Sequence, residues 1–167
     1  YPIDDNNFIT IATTRPETML GDVAVAVHPQ DKRYLDIINK ECMLPLSDRK
    51  IRIIADEYAD PDKGSGAVKI TPAHDFNDFE VGKRHNLESI NIFDKFAKCN
   101  TNVPHRFQGL DRYVVRKKVL EELETLGLLV KEEKQSILMP YGDRSGVVIE
   151  PWLTDQWFCD AKKLSID

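Results

Sequence analysis

Cysteine is scarce in this chain, and the three present, Cys42, Cys99 and Cys159, are widely separated with no CxxC pair. A disulfide framework and a zinc knuckle are both excluded, and a reducing cytosol is the simplest setting. Histidine is equally thin. His28, His74, His85 and His105 show neither HExxH nor HxH spacing, so no ligand set is recognisable and no structural metal is expected. Long apolar runs are missing as well: Val23 to Val27 and Gly127 to Val130 fall far short of the roughly 20 residues of a membrane helix. No membrane partner is expected. The opening YPIDDNNF has no basic region followed by an apolar run, so no secretory signal is expected and the chain reads as cut from a longer one. Basic excess is absent too. Against 28 Asp and Glu stand 23 Lys and Arg, a net charge of -5, which argues against coating long duplexes and leaves only local contact with a nucleic-acid end.

What is present describes a globular protein. At 167 residues, 41% hydrophobic and 31% charged, the chain is long enough to bury a core without staples, and residues 1–167 are expected to form one monomeric domain. Phe8 to Thr13 alternates and is β-branched, and Val23 to Val27 carries valine at every second position, the period of half-buried strands. Between them TTRPETMLGD holds Pro16 and Gly21 and can continue neither strand, so it is a polar connection, the kind of segment where function collects. Short apolar runs at Cys42 to Leu46, Ile51 to Ala55 and Ala67 to Thr71, separated by SDR and PDKGSG, predict further strands. Leu128 to Lys131, Ser136 to Pro140 and Val147 to Glu150 predict others around YGDRSG.

Helices are fewer. Asp31 to Lys40 predicts a short surface helix behind an Asp31 cap. Asp75 is placed to cap a helix over Phe76 to Asn86, with Asn86 as a left-handed stop and Gly82 as its weak point. Val115, Val119, Leu123 and Leu126 form the stripe of an amphipathic helix over Asp111 to Leu126, ended by Gly127. Asp94 to Gln108, polar and without a period, reads as a long surface loop. Many short strands, few helices and no βαβ repeat predict an α+β fold: a compact closed or strongly bent β-barrel with helices on its outside.

Two polar clusters crowd against these apolar strands. In the first, Thr13, Thr14 and Thr18 can turn hydroxyls toward a small polar ligand, and Arg15 suits a phosphate or carboxylate. The competing account is a local turn in which Arg15 pairs with Glu17 or Asp22. In the second, Asp75 and Asp78 lie at i and i+3, on one side of a first helical turn, where they either grip an ammonium group or serve the helix N-terminus. Lys69 and Thr71 alternate on a strand and so face one way, and Pro72 ends that strand just before His74. His74 is either a general base or a hydrogen-bonding structural residue. No Ser-His-Asp or Cys-His set is present.

Three long stretches, TTRPETMLGDVAVAVHP, GSGAVKITPAHDFNDFEVGKRHNL and YGDRSGVVIEPWLTDQWF, closely resemble the editing domain of valyl-tRNA synthetases, the connective-peptide insertion of the class I valyl, isoleucyl and leucyl enzymes. The likeness runs nearly end to end. The HIGH and KMSKS signatures of the synthetic site are lacking, so no amino-acid activation is expected, and ATP and Mg belong to a part of the parent not present here. No cofactor is implied.

The resemblance implies an aminoacyl-tRNA deacylase that clears threonine from mischarged valine tRNA. Threonine and valine are nearly isosteric, and a hydrophobic pocket cannot strongly reject a side chain that differs by a hydroxyl, a limit for which valyl-tRNA synthetase is the standard worked case. By matching motif, Asp78 is implied as the anchor of the substrate ammonium. Thr13, Thr14 and Thr18 would line the pocket beside the side chain and terminal ribose, with Arg15 supporting that loop or the nucleotide. Lys69, Thr71 and Asp75 would form the other wall, Lys69 and Asp75 organising the ester, water or each other, with His74 beside them. Lys63 stands where related enzymes can carry an apolar or aromatic residue, and no nucleotide-stacking role is assigned to it. The implied partners are the acceptor end of tRNA(Val) and the rest of a cytoplasmic synthetase in cis, with residues 151–167 as the return segment. Two alternatives stay open: an isoleucyl-type domain clearing valine from tRNA(Ile), and a non-catalytic module that binds the tRNA acceptor end.

Overall fold

The computed structural model describes residues 1–165. The valine alternation does form a strand, β1 (Ala24–Val27), but all of it is buried. The reason is its place in the sheet. With β2 (Glu41–Met43), β3 (Lys50–Ala55) and β4 (Ala67–Ile70) the order is β2-β3-β1-β4. β1 runs parallel to β3, with Val25 opposite Ile53, and antiparallel to β4, with Val25 opposite Lys69. β2 is antiparallel to β3, with Cys42 opposite Ile51.

Each face of β1 has its own cover. Val25 and Val27 enter a cluster with Ile9, Leu44, Ile51 and Ile53, whereas Ala24 and Ala26 meet Ile54, Ile70 and Val81 on the opposite face. Val81 belongs to α1 (Phe76–His85). Asp75 caps this helix as expected, its Oδ1 accepting from the N–H groups of Asn77 at 2.8 Å and Asp78 at 3.1 Å, and Asn86 ends it at φ 51°. Gly82 has a packing reason: a Cβ there would stand 2.9 Å from Pro72 Cγ. The residue that lowers helix propensity thereby lets the helix close on the end of the β4 strand.

The third cluster lies beside the sheet. α2 (Arg112–Thr125) buries Val115, Val119 and Leu123 against Met19, Leu20, Phe93 and Phe107, while Leu126 falls at the C-cap and is exposed. Met19 and Leu20 come from a 3-10 turn, Pro16–Gly21, in the polar connection. The stretch Asp94 to Gln108 holds one 3-10 turn, His105–Phe107, and is not merely a surface loop, because it buries Cys99, Val103 and Phe107 in this cluster.

The expected closed or strongly bent barrel is overturned: the sheet is open, mixed and four-stranded. Closure fails because the segments that would supply further strands do not pair. Phe8 to Thr13 makes only the isolated bridge Pro2–Phe8, and the region 128–150 only the bridge Tyr141–Val148. Four strands of three to six residues cannot wrap into a cylinder. The helix expected at Asp31 to Lys40 is replaced by turns and one 3-10 turn, Leu35–Ile37. Within the expected return segment 151–167 there is one short helix, α3 (Ala161–Leu164); residues 166 and 167 lie outside the described residues. Among the described residues no helix is long and apolar enough to cross a membrane, and no group of His, Cys, Asp and Glu is arranged to hold a metal ion. All three cysteines are free.

Candidate functional site

The end of β4, the N-terminus of α1 and the polar connection after Ile11 converge on a cleft of ≈ 170 Å³. Thr13, Thr14, Arg15, Thr18, Lys69, Thr71, His74, Asp75 and Asp78 all line it, together with Ala12, Tyr58 and Val68. Residues from the two sequence clusters, more than fifty positions apart, thus share one concavity. Its size suits one amino acid; pockets for drug-sized ligands run to about 300–1,000 Å³.

The cleft floor rests on a carboxylate that sequence reasoning weighed only as a partner for Arg15. Asp22 is 0% exposed. Its Oδ1 accepts from Thr71 Oγ1 at 2.6 Å and from Lys69 Nζ at 3.3 Å, and its Oδ2 accepts from Tyr1 Oη at 2.5 Å. Lys69 Nζ also donates to Thr71 Oγ1 at 2.5 Å. Burial pushes the Asp22 carboxyl above its ordinary range, and the Lys69 ammonium and the Thr71 and Tyr1 hydroxyls oppose that rise. No local spacing signals this group, since Lys69 and Thr71 reach it only through the antiparallel register of β1 and β4.

Asp78 is 5% exposed and stands over the same floor. Its Oδ2 accepts from the backbone N–H of Thr71 at 2.8 Å. Burial raises its carboxyl to about 6, with Lys69 and the Thr71 N–H pulling the other way and the charges of Asp75 and Asp22 adding to the rise. Tyr58, which the sequence did not single out, stands beside it. Burial and the charges of Asp78 and Asp75 push the Tyr58 phenol up to about 12.

His74 is held in a structural setting. It is 1% exposed, its Nε2 accepts from the Ile92 N–H at 2.9 Å, and its ring meets Phe93 edge-on at 4.9 Å. Burial lowers it to about 4, which the nearby Pro151 carbonyl only partly offsets. Nδ1 makes no hydrogen bond. The ring is therefore neutral over the physiological range, with its proton on Nδ1.

The threonine segment is held by local bonds and by charge. Thr13 Oγ1 accepts from the Arg15 N–H, and Thr18 Oγ1 donates to the Arg15 carbonyl, both at 3.0 Å. Arg15 itself bonds Glu17 at 3.2 Å, the His74 carbonyl at 3.1 Å, and Glu150. Arg116 holds Glu17 at 2.8 Å and Arg112 holds Glu150 at 2.6 Å. Arg15 is thus enclosed in an Arg116–Glu17–Arg15–Glu150–Arg112 ladder that ties the segment to α2. Asp22, the other partner weighed for it, binds Lys69 instead.

Fold and site together define a class: a small open-sheet domain whose strand ends present a polar, carboxylate-bearing cleft of amino-acid size. The family model described as "Leucyl-tRNA synthetase, editing domain" matches residues 35–121, just over half of the chain, and the chain belongs to that family. The matched range contains Lys69, Thr71, His74, Asp75 and Asp78. Along nearly its whole length the chain is similar to valine–tRNA ligases. It is 58% identical to that of Pelagibacter ubique over 167 residues, 99% of this chain and 19% of that protein. It is 57% identical to that of Francisella tularensis over 166 residues, 99% of this chain and 18% of that protein. The chain spans about a fifth of these curated relatives. Among solved structures, that of GlLeuRS-CP1 superposes with a TM-score of 0.58 at 14% identity, covering 75% of this chain and 83% of that one. LeuRS in the ternary LeuRS–tRNA–LeuAMS complex of Agrobacterium radiobacter K84 gives 0.54 at 19% identity, covering 73% and 18%. These two likenesses are of fold.

Proposed function

We infer that the chain hydrolyses the ester of mischarged tRNA, removing threonine from tRNA(Val) as the proofreading part of a valine–tRNA ligase. The observation that carries this reading is the convergence, in one cleft of ≈ 170 Å³, of the Asp78 carboxylate, the Lys69 ammonium and several threonine hydroxyls. An aminoacyl ester brings a matching set: an α-ammonium, a carbonyl, and for threonine a side-chain hydroxyl. Asp78 receives the ammonium, and the incoming cation restores the charge that burial disfavours. Lys69 and the threonines orient the ester and a water for attack on its carbonyl, an effect of positioning and preorganised charge. The leaving group is the terminal ribose hydroxyl. Valine, lacking the side-chain hydroxyl, leaves buried polar groups unpaired.

Only the acceptor end of the nucleic acid need approach, which agrees with a net charge of -5. The test compares hydrolysis of threonyl-tRNA(Val), valyl-tRNA(Val) and valyl-tRNA(Ile). Preferential loss of threonine supports the reading. Equal rates for the threonyl and valyl esters of tRNA(Val) refute it, and preference for valyl-tRNA(Ile) transfers the chain to isoleucyl-type editing.

A further inference from the structure

We propose that Asp22, sealed beneath the cleft, is a positioning residue that sets the hydrogen-bond polarity of the cleft floor. The inference rests on the deacylase reading and adds to it a residue that touches no substrate. A threonine hydroxyl has one proton and two lone pairs, and a lysine ammonium has three protons and no lone pair. Thr71 commits its proton to Asp22 Oδ1 at 2.6 Å and accepts one from Lys69 Nζ at 2.5 Å. Lys69 commits a second proton to Asp22 at 3.3 Å. Subtraction leaves Thr71 with one lone pair and Lys69 with one N–H, on two side chains that both line the cleft.

The floor therefore presents a fixed acceptor beside a fixed donor. Without an acceptor beneath it, the Thr71 hydroxyl would be free to rotate and offer the cleft a proton as readily as a lone pair. A substrate hydroxyl, itself donor and acceptor, could then be met in the wrong sense. Tyr1 contributes from the far side: its hydroxyl occupies Oδ2 at 2.5 Å, so that Oδ1 remains directed to Thr71 and Lys69.

Two measurements test this. Neutron diffraction from this chain locates the Thr71 hydroxyl proton without any substrate. The proton is expected on the line to Asp22 Oδ1, and finding it directed into the cleft overturns the proposal. The second is the ratio of kcat/KM for threonyl- over valyl-tRNA(Val). In Asp22→Ala it should fall by about tenfold, the scale of one misplaced hydrogen bond, with Asp22→Asn as the milder variant should the alanine form fail to fold. Asp22→Asn combined with Thr71→Val should lose less selectivity than the product of the two single losses, because Asp22 acts in part through Thr71. Tyr1→Phe, which frees Oδ2 and leaves the Oδ1 contacts in place, should lower the melting temperature and reduce the ratio by less than Asp22→Ala does. A folded Asp22 variant with unchanged ratio, or losses that multiply in the double variant, overturns the proposal. If the wild type shows the Thr71 hydroxyl proton directed at Asp22 Oδ1 but does not discriminate the two esters, the threonyl-editing reading fails and the polarity assignment stands.

Discussion

The backbone N–H of Thr71 donates to Asp78 Oδ2 at 2.8 Å, joining the end of the β4 strand to the first turn of α1. This bond fixes where the carboxylate stands, and it separates two variants that look equivalent on paper. Asp78→Ala strands a buried N–H, whereas Asp78→Asn keeps an acceptor for it and removes only the charge.

Asp78→Asn should abolish deacylation while stabilising the fold. The folded carboxyl at about 6 lies above its ordinary 3.8, so the native state holds the extra proton and wild-type stability falls as pH rises from about 4 to 6. Removing the charge should recover up to about 3 kcal/mol at pH 7 and nothing near pH 3.5. Thermal melts of both proteins at the two pH values check this.

On the proposed role of Asp78 as the anionic partner of the substrate ammonium, activity should rise with pH through about 6 in kcat/KM, the value of the free Asp78 carboxyl. A bound ammonium favours the anion, so the corresponding limb in kcat should lie lower. His74, at about 4, sets no limb between pH 5 and 8. A profile whose limb shifts in a folded His74→Gln variant would contradict the assignment.

The same histidine should reveal itself in stability. Its folded value of about 4 lies below its ordinary 6.5, so its contribution is intact above pH 6.5 and is lost as pH falls toward 4, by up to about 3 kcal/mol. That slope opposes the one from Asp78. His74→Gln should therefore grow more stable relative to wild type on acidification from pH 7 to 4.5, as denaturant titrations at each pH would show.

Lys69→Ala should lose stability as well as turnover, since it leaves Asp22 buried without its cation, a defect that costs about 3–5 kcal/mol in buried pairs. Adding Asp22→Asn should recover more than half of the stability and none of the activity. A double-mutant cycle on melting and on turnover separates the two roles.

Gly82→Ala should destabilise. Helix propensity favours alanine by about 1 kcal/mol, but the new Cβ would stand 2.9 Å from Pro72 Cγ, and overpacking of this kind costs about 1–3 kcal/mol. A rise in melting temperature would show that α1 can shift at no cost.

Much of the local structure was legible because its signals are local. The Asp75 cap, the Asn86 stop and the Val115, Val119, Leu123 part of the predicted stripe each follow from a few adjacent residues and stand in the structure, whereas its fourth member, Leu126, is exposed at the C-cap. Pairing was not legible. Alternation at Phe8 to Thr13 marks Ile9 as inward and Thr10 as outward, and both are so placed, yet it says nothing of whether a neighbouring backbone is there to bond. The alternating and apolar runs at 128–150 misled in the same way: Val130 and Leu138 are exposed. Within the cleft, Lys69, Thr71 and Asp78 were visible as residue types in a pattern. Asp22 and Tyr58 were not, because an aspartate after a glycine and a tyrosine in a turn look ordinary until the sheet register brings Asp22 beneath the cleft and the fold around α1 brings Tyr58 to its wall.

One face of β1 carries only Ala24 and Ala26, and α1 rests over it through Val81. The height of α1 above the sheet is thus governed by missing volume, and Asp75 at its N-cap and Asp78 in its first turn ride with it. A methyl group gained or lost at 24, 26 or 82 would move those carboxylates relative to Lys69 with no polar residue altered. Lineages that diverge in the ligand their cleft takes have a route for retuning it through substitutions that never meet that ligand, and such substitutions would pass as neutral in any comparison confined to the cleft wall.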